Sequence, residues 1–276
     1  MNMKKNISNI FIQIMLFLLA IITLFPFVYI IMIAFGKNVI STSTFIPEAF
    51  TLDNFKQLFT ETKFLHWIGN SFLIAASTMV FSVILVSVSV YVFSRLKFYG
   101  KQKLFNFILL IQIFPLTLSM VSIFKIFVQL GLLNQKMGLV VVNSTLASAG
   151  LIMLAKGYFD ALPYEIDEAA MMDGASIFQI LVKITLPLAK PMLAIVAIQS
   201  FVIAYNEYTI ASAVMTAKVE SMPLAVGLQS MITGQYGINW SIYCAGAVLG
   251  SIPMIALFYS LQKYFIGGLT EGGVKQ

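Results

Sequence analysis

The sequence predicts an all-α integral membrane protein with six transmembrane helices. Three observations predict it. The 276 residues are 59% hydrophobic and 10% charged, against roughly 25% charged in a soluble domain. That much apolar surface cannot be hidden by folding alone, so lipid must cover part of it. The charges also cluster, leaving apolar stretches that reach or approach the ~20 residues needed to cross ~30 Å of hydrocarbon. Backbone in lipid must satisfy its own hydrogen bonds, and stretches of this length do so as helices rather than barrel strands.

The expected helices cover about residues 10–35, 67–94, 104–128, 138–156, 191–215 and 240–262, in one membrane domain spanning 1–276. The first lies in the charge-free run Ile7–Gly36. Met1 to Lys5 has the basic character of a signal-peptide start. The apolar run behind it is too long and lacks a small-residue cleavage site, so the first helix is expected to remain uncleaved. The second and third lie in Trp67–Ser94 and Leu104–Phe124, and Pro115 is expected to kink the third. The fourth lies in the shorter run Met137–Ala155. The fifth, Pro191–Ala217, contains one charge, Glu207; the sixth, Trp240–Gln262, contains none. Trp67 and Trp240 fall at helix ends, where indole rings anchor to the interface.

Eleven of the 17 Lys and Arg residues, including the cluster Arg95 to Lys103, fall on the side that carries both termini. The positive-inside rule puts that side in the cytoplasm. Residues 157–190 are then cytoplasmic, and the loops Gly36–Lys63 and Lys218–Asn239 face outside. The net charge of +6 reports this loop bias, so no nucleic-acid partner is expected. A lone Cys244 excludes an intrachain disulfide, and a lone His66 excludes a multi-histidine metal site. No cofactor or metal is expected on this chain. It has no G-x-x-x-x-G-K-[ST] phosphate loop, so any ATP it uses must be hydrolysed on another protein.

The most informative stretch is acid-rich and lies between apolar spans. Leu162-Pro163-Tyr164-Glu165 reads as a helix start, with Glu165, Asp167 and Glu168 favourable at the positive end of the macrodipole. The helix is expected to run to about Asp173, where Gly174 permits a sharp turn. A second amphipathic helix follows, with Ile177, Ile180, Leu181 and Ile184 on one face, ended by Leu186-Pro187. Glu168, Met171, Met172 and Ala175 share a face of the first helix. One charge, two adaptable thioethers and a small residue suit a groove on another protein. The alternative is an interfacial helix on lipid, but four acids without a basic residue between Glu165 and Asp173 would be repelled by anionic lipid.

Glu168-Ala169-Ala170-x3-Gly174-x9-Ile184-x-Leu186-Pro187 resembles the EAA motif of permease subunits of ABC importers. Asp173-Gly174-Ala175, Thr51-Leu52-Asp53-Asn54-Phe55, Asn70-Ser71, Tyr205-Asn206-Glu207-Tyr208 and the tail from Gly267 to Lys275 resemble the carbohydrate branch, especially the smaller permease of maltose-type importers. The resemblance implies a type I importer permease fold in a bacterial cytoplasmic membrane. It makes the helix around Glu168 a coupling helix, with Glu168, Ala169, Ala170, Met171, Met172, Asp173, Gly174, Leu186 and Pro187 forming the ATPase-coupling segment. It implies a second, homologous permease, two ATPases that use ATP and Mg, and an extracytoplasmic sugar-binding protein. The tail, 265–276, would reach between the ATPases.

Inside the membrane, Gln199, Ser200, Asn206 and Glu207 form one polar stripe, with Glu207 about 24 Å along its helix from Pro191. An intramembrane acid is costly and faces a cavity or a partner. Glu207 either lines a cavity, where carboxylate and amides suit sugar hydroxyls, or makes a structural bond. Gln112 and Ser119 belong to a second stripe, open to the same two readings. Gln199, Asn206, Glu207, Gln112 and Ser119 are the pathway candidates. By resemblance, Gln229, Gly234, Gln235 and Tyr236 in the last outer loop would contact the binding protein. A secondary transporter or channel is the rival reading. It would need ion-coupling residues in the helices, where only Glu207 is offered.

Overall fold

The computed structural model describes residues 2–37, 46–113, 116–233 and 239–272. Among these the chain is helical, with a single isolated antiparallel bridge between Gly36 and Phe50. The long elements are α1 (Asn2–Phe35), α3 (Phe64–Arg95), α6 (Lys136–Ala161), α10 (Lys190–Tyr205) and α13 (Trp240–Gly272). Shorter ones are α2 (Asp53–Glu61), α4 (Lys101–Ile111), α5 (Leu116–Gln129), α7 (Tyr164–Met172), α8 (Ile177–Ile180), α9 (Leu186–Leu188), α11 (Thr209–Val214) and α12 (Leu224–Ile232). Among the described residues, five stretches are long and apolar enough to span a bilayer: Ile10–Phe35, Phe64–Arg95, Lys136–Ala161, Lys190–Val214 and Trp240–Gln262.

Three of the expected spans take a form the sequence does not predict. The third expected span, 104–128, is found as two shorter helices, α4 and α5. The N–H groups of Gln112 and Ile113 bond three residues back, to Leu109 and Leu110, which closes α4 with a tighter turn. Pro115, expected to kink this span, lies outside the described residues; a proline has no N–H to donate to the carbonyl of Ile111. The fifth span is broken at 206–208, between α10 and α11. The last apolar span, Trp240–Gln262, has the expected bounds, but the helix that carries it, α13, continues through Gly272, so much of the segment expected as a separate tail is helical.

Two compact units are distinguished: Met1–Phe64 with Gly227–Ser251, and Leu65–Val226 with Ile252–Gln276. In the first, every described side chain of α1 from Ile10 to Val28 is exposed, so this apolar rod requires lipid or another chain around it. The end of α1 is pinned by α2. The amide of Asn54, 6% exposed, donates to the carbonyls of Ala34 (2.9 Å) and Gly36 (2.8 Å). These bonds satisfy carbonyls a helix end leaves open. Gly246 of α13 is a close-packing point. A Cβ there would lie 2.5 Å from Leu228 Cδ2 and 3.4 Å from Leu58 Cδ1.

In the second unit α6 and α10 form the main packed pair. Val86, Val90 and Tyr91 of α3, Ala155 and Phe159 of α6, and Val196 of α10 form one apolar core, each buried. Ala170 of α7 and Ile180 of α8 are buried in the same core. Leu181 is buried there too, and Leu162, Ala175, Ile184 and Leu186 pack against it, so the acid-rich segment is built into the body of the unit along its length.

Candidate functional site

The acid-rich segment begins at Pro163 and is gripped from below by the last residue of α3. Arg95 is the only arginine in the chain. Its side chain and that of Asp167 are 6% and 3% exposed, with Nε and Oδ2 2.6 Å apart. Neither of these two atoms has an aligned hydrogen-bond partner, so the contact is an ion pair rather than a linear hydrogen bond. The Nη2 group of Arg95 donates to the carbonyl of Leu162 at 3.0 Å. The guanidinium also stands over the Tyr164 ring, 5.7 Å from its centroid. One cation thus holds three consecutive features of the entry into α7: a carbonyl, an aromatic face and a carboxylate.

Asp167 and Ala170, three residues apart, make the inward face of α7. Glu168, Ala169, Met171, Met172, Asp173 and Gly174 are exposed, with Met172 at 88%. The segment then turns through a Schellman motif. The N–H of Gly174 donates to Met171 (3.0 Å) and that of Ala175 to Ala170 (3.0 Å), with Gly174 at φ +85°. A Cβ at Gly174 would meet nothing within 4 Å, so backbone conformation, not space, favours glycine. Ser176 starts α8 with a capping box. Its Oγ accepts from the Gln179 N–H (3.3 Å), and Gln179 Oε1 accepts from the Ser176 N–H (2.8 Å).

The helix start at Pro163 and the turn at Gly174 lie where the sequence puts them. The second helix ends one residue beyond Leu186-Pro187, at Leu188, but its course is not uniform. After α8 the backbone widens into a π-turn, Leu181–Thr185, then re-forms as α9. Pro187 occupies the start of that new turn, where a missing N–H costs nothing, and the path leads through Ala189 into α10. Leu186 is half-buried and Pro187 exposed. Sequence reasoning missed Arg95 and Asp167 as a pair. Arg95 counted only toward orientation, and Asp167 was one of four similar acids. The available signal was the lone arginine at a helix end and a small residue, Ala170, one turn beyond Asp167.

A second feature is a cavity of about 980 Å³ within the same unit. Four of the pathway candidates line it: Gln112, Ser119, Gln199 and Glu207. Gln112 is partly committed, because its Nε2 donates to the Ala149 carbonyl at 2.8 Å. Glu207 caps α11: Oε1 accepts from the Ile210 N–H (2.6 Å) and Oε2 from the Ala211 N–H (2.9 Å). It thus lines the cavity and also makes a structural bond, to its own chain where the helix restarts. Asn206 is not on the cavity wall; its Nδ2 donates back to the Val202 carbonyl at 3.1 Å. Ser200 is buried and bonds to Val196 within its own helix.

The opposite end of α3 holds the loop that follows α11. Trp67 Nε1 donates to the Val219 carbonyl (2.7 Å), and Asn70 Nδ2 to the carbonyls of Glu220 (2.7 Å) and Met222 (3.0 Å). Ser71 Oγ accepts from the Leu224 N–H at 2.8 Å. Trp67 was expected as an interfacial anchor. It is fully buried instead, because its indole N–H has a partner inside the protein. Gln229 lies half-buried in α12, while Gly234, Gln235 and Tyr236 lie outside the described residues.

Comparison with known proteins agrees with this architecture. The family model described as "Binding-protein-dependent transport system inner membrane component" matches residues 92–270. The maltodextrin transport system permease protein MdxG of Bacillus subtilis (strain 168) is 36% identical over 275 residues, 98% of each chain. The galactooligosaccharides transport system permease protein GanQ of the same organism is 34% identical, over 100% of this chain and 98% of its own. Among solved structures, a chain of a bacterial ABC transporter involved in import of the acidic polysaccharide alginate matches with a TM-score of 0.80. It is 26% identical, over 95% of this chain and 98% of that one.

Proposed function

As the chain belongs to the family of inner membrane components of binding-protein-dependent transport systems, we propose that it carries an oligosaccharide of the maltodextrin type across a bacterial cytoplasmic membrane, driven by ATP hydrolysed on partner subunits. The observation that carries this reading is the two-faced build of α7. Asp167 and Ala170 fasten one face to the body, while Glu168, Met171, Met172 and Asp173 stand exposed on the other. A held helix with a free face of one charge and two thioethers suits a groove on an ATPase. Closure of two ATPases would then draw this coupling helix toward that of a second, homologous permease, and the cavity would alternate between the two sides of the membrane.

In this arrangement the termini and α7 are cytoplasmic, and a sugar-binding protein delivers cargo at the loop held by Trp67 and Asn70. This chain performs no catalysis and binds neither ATP nor Mg. The cavity supports the same reading: amide and hydroxyl groups of Gln112, Gln199 and Ser119 suit the hydroxyls of a sugar, and its volume is within the range of small-ligand sites. The test is uptake of a panel of labelled oligosaccharides by proteoliposomes holding the purified complex. Uptake is expected to require internal ATP and to persist when ion gradients are collapsed. Uptake that follows an ion gradient and ignores ATP would replace this reading with a secondary transporter. Glu168→Ala and Gly174→Asp should each lose ATP-driven uptake; normal transport by both would remove α7 from the mechanism.

A further inference from the structure

Helix α3 is joined by side chains to a distant segment at each end. At one end Trp67, Asn70 and Ser71 bond to backbone between Val219 and Leu224. At the other Arg95 holds Leu162, Tyr164 and Asp167. Asn70 and Arg95 are about 38 Å apart along a continuous helix, which approaches the thickness of a bilayer with its headgroups. A helix of this kind transmits displacement only if its ends are fastened, and both are.

The fastening at the Arg95 end is of an unusual type. A buried ion pair suffers a desolvation penalty that can exceed its Coulombic gain, so matched apolar replacements are often neutral or stabilising. Stability alone does not account for burying the chain's one arginine against an acid at 6% and 3% exposure. Geometry does. A guanidinium can meet a carboxylate, donate to a carbonyl and cover an aromatic ring at once, which neither an ammonium nor an apolar side chain can do. The pair therefore fixes the direction in which α7 leaves α6, relative to the end of α3.

We propose that Arg95 and Asp167 are positioning residues for coupling: they form the joint through which movement of α7 becomes movement of α3 and of the 219–224 loop at its far end. This rests on the reading of α7 as the ATPase contact. The residues proposed to dock, Glu168, Met171 and Met172, are exposed whereas Asp167 and Ala170 are buried, so breaking the joint is expected to leave docking intact.

The test uses the full transporter in proteoliposomes, with two variants: Arg95→Met/Asp167→Leu, which removes both charges, and Arg95→Lys, which keeps the charge but cannot reproduce the guanidinium's planar, multi-contact geometry. Sugar molecules imported per ATP hydrolysed are measured alongside the amount of ATPase that co-purifies. Both variants are expected to assemble with ATPase at the parent level while the import-to-hydrolysis ratio falls about tenfold in the double variant and less in Arg95→Lys. Parent ratios in both would overturn the proposal. Failure of both to assemble would also overturn it, showing that the pair holds the fold rather than transmits movement. If the parent chain itself recruits no ATPase, the reading of α7 falls instead, and the two failures are distinguished.

Discussion

The two ends of α3 do the same task with different chemistry. At the Trp67 end every bond is neutral: an indole, an amide and a hydroxyl meet backbone groups of Val219 to Leu224. At the Arg95 end the grip is charged, with Arg95 and Asp167 both out of water. Neutral bonds to backbone are modest and independent, about 1 kcal/mol each. A buried charge pair behaves as a unit: removing one member strands the other, while removing both can be harmless. The first kind of joint resists single substitutions and holds a loop in place. The second holds a direction and fails abruptly.

The largest expected effect tests that difference. Asp167→Ala leaves the Arg95 guanidinium buried without its acid and should destabilise the subunit by about 3–5 kcal/mol. A thermal or denaturant melt in detergent would read this, and Arg95→Met/Asp167→Leu should restore most of the loss. If single and double variants melt alike, the pair is not acting as a unit. Next comes Asn70→Ala, which leaves two carbonyls, of Glu220 and Met222, without their donor. It should cost about 2 kcal/mol and raise hydrogen exchange in 219–224 without altering exchange in α7. Protection lost at both ends would mean that α3 is not a rigid element between separate joints.

A smaller effect is expected at the turn after α7. Gly174→Ala should cost about 1 kcal/mol, and Gly174→Asn less, because asparagine tolerates a positive φ and the site has room for either side chain. Equal costs would point to crowding rather than backbone conformation. The smallest is Glu168→Ala. Glu168 is exposed, so the melt should be unchanged while ATP-driven uptake is lost. A shifted melt would mean that Glu168, like Asp167, is part of the fold.

The same contrast explains what could be read from the sequence. The limits of α7 were legible because they depend on local chemistry: a proline at entry, acids in the first turn, a glycine at exit. The long spans were legible because lipid imposes length and polarity on each separately. What escaped was non-local. Asp167 and Glu168 are neighbours of one chemical type, and only Arg95, 72 positions earlier, decides which of them turns inward. Trp67 reads as an interfacial residue in the sequence because its partner, the Val219 carbonyl, is 152 positions away. Glu207 is an intermediate case. Its place on the cavity was suggested by a polar stripe, yet its bonds to Ile210 and Ala211 arise because α10 stops and α11 starts there. Hydropathy is blind to the division of the third span into α4 and α5; Pro115, expected to kink that span, is the one sequence signal near the break.

On the proposed reading, α7 presents one face to an ATPase and keeps the other for its own subunit. Disulfide cross-linking tests it most directly, against an ATPase carrying a cysteine in its permease-facing cleft. The native thiol, Cys244, is buried and leaves little background. Met172→Cys, at a position 88% exposed, should cross-link to the ATPase, whereas Ala170→Cys, facing the core, should not. No cross-link at residue 172, or equal yields at both residues, would contradict the account.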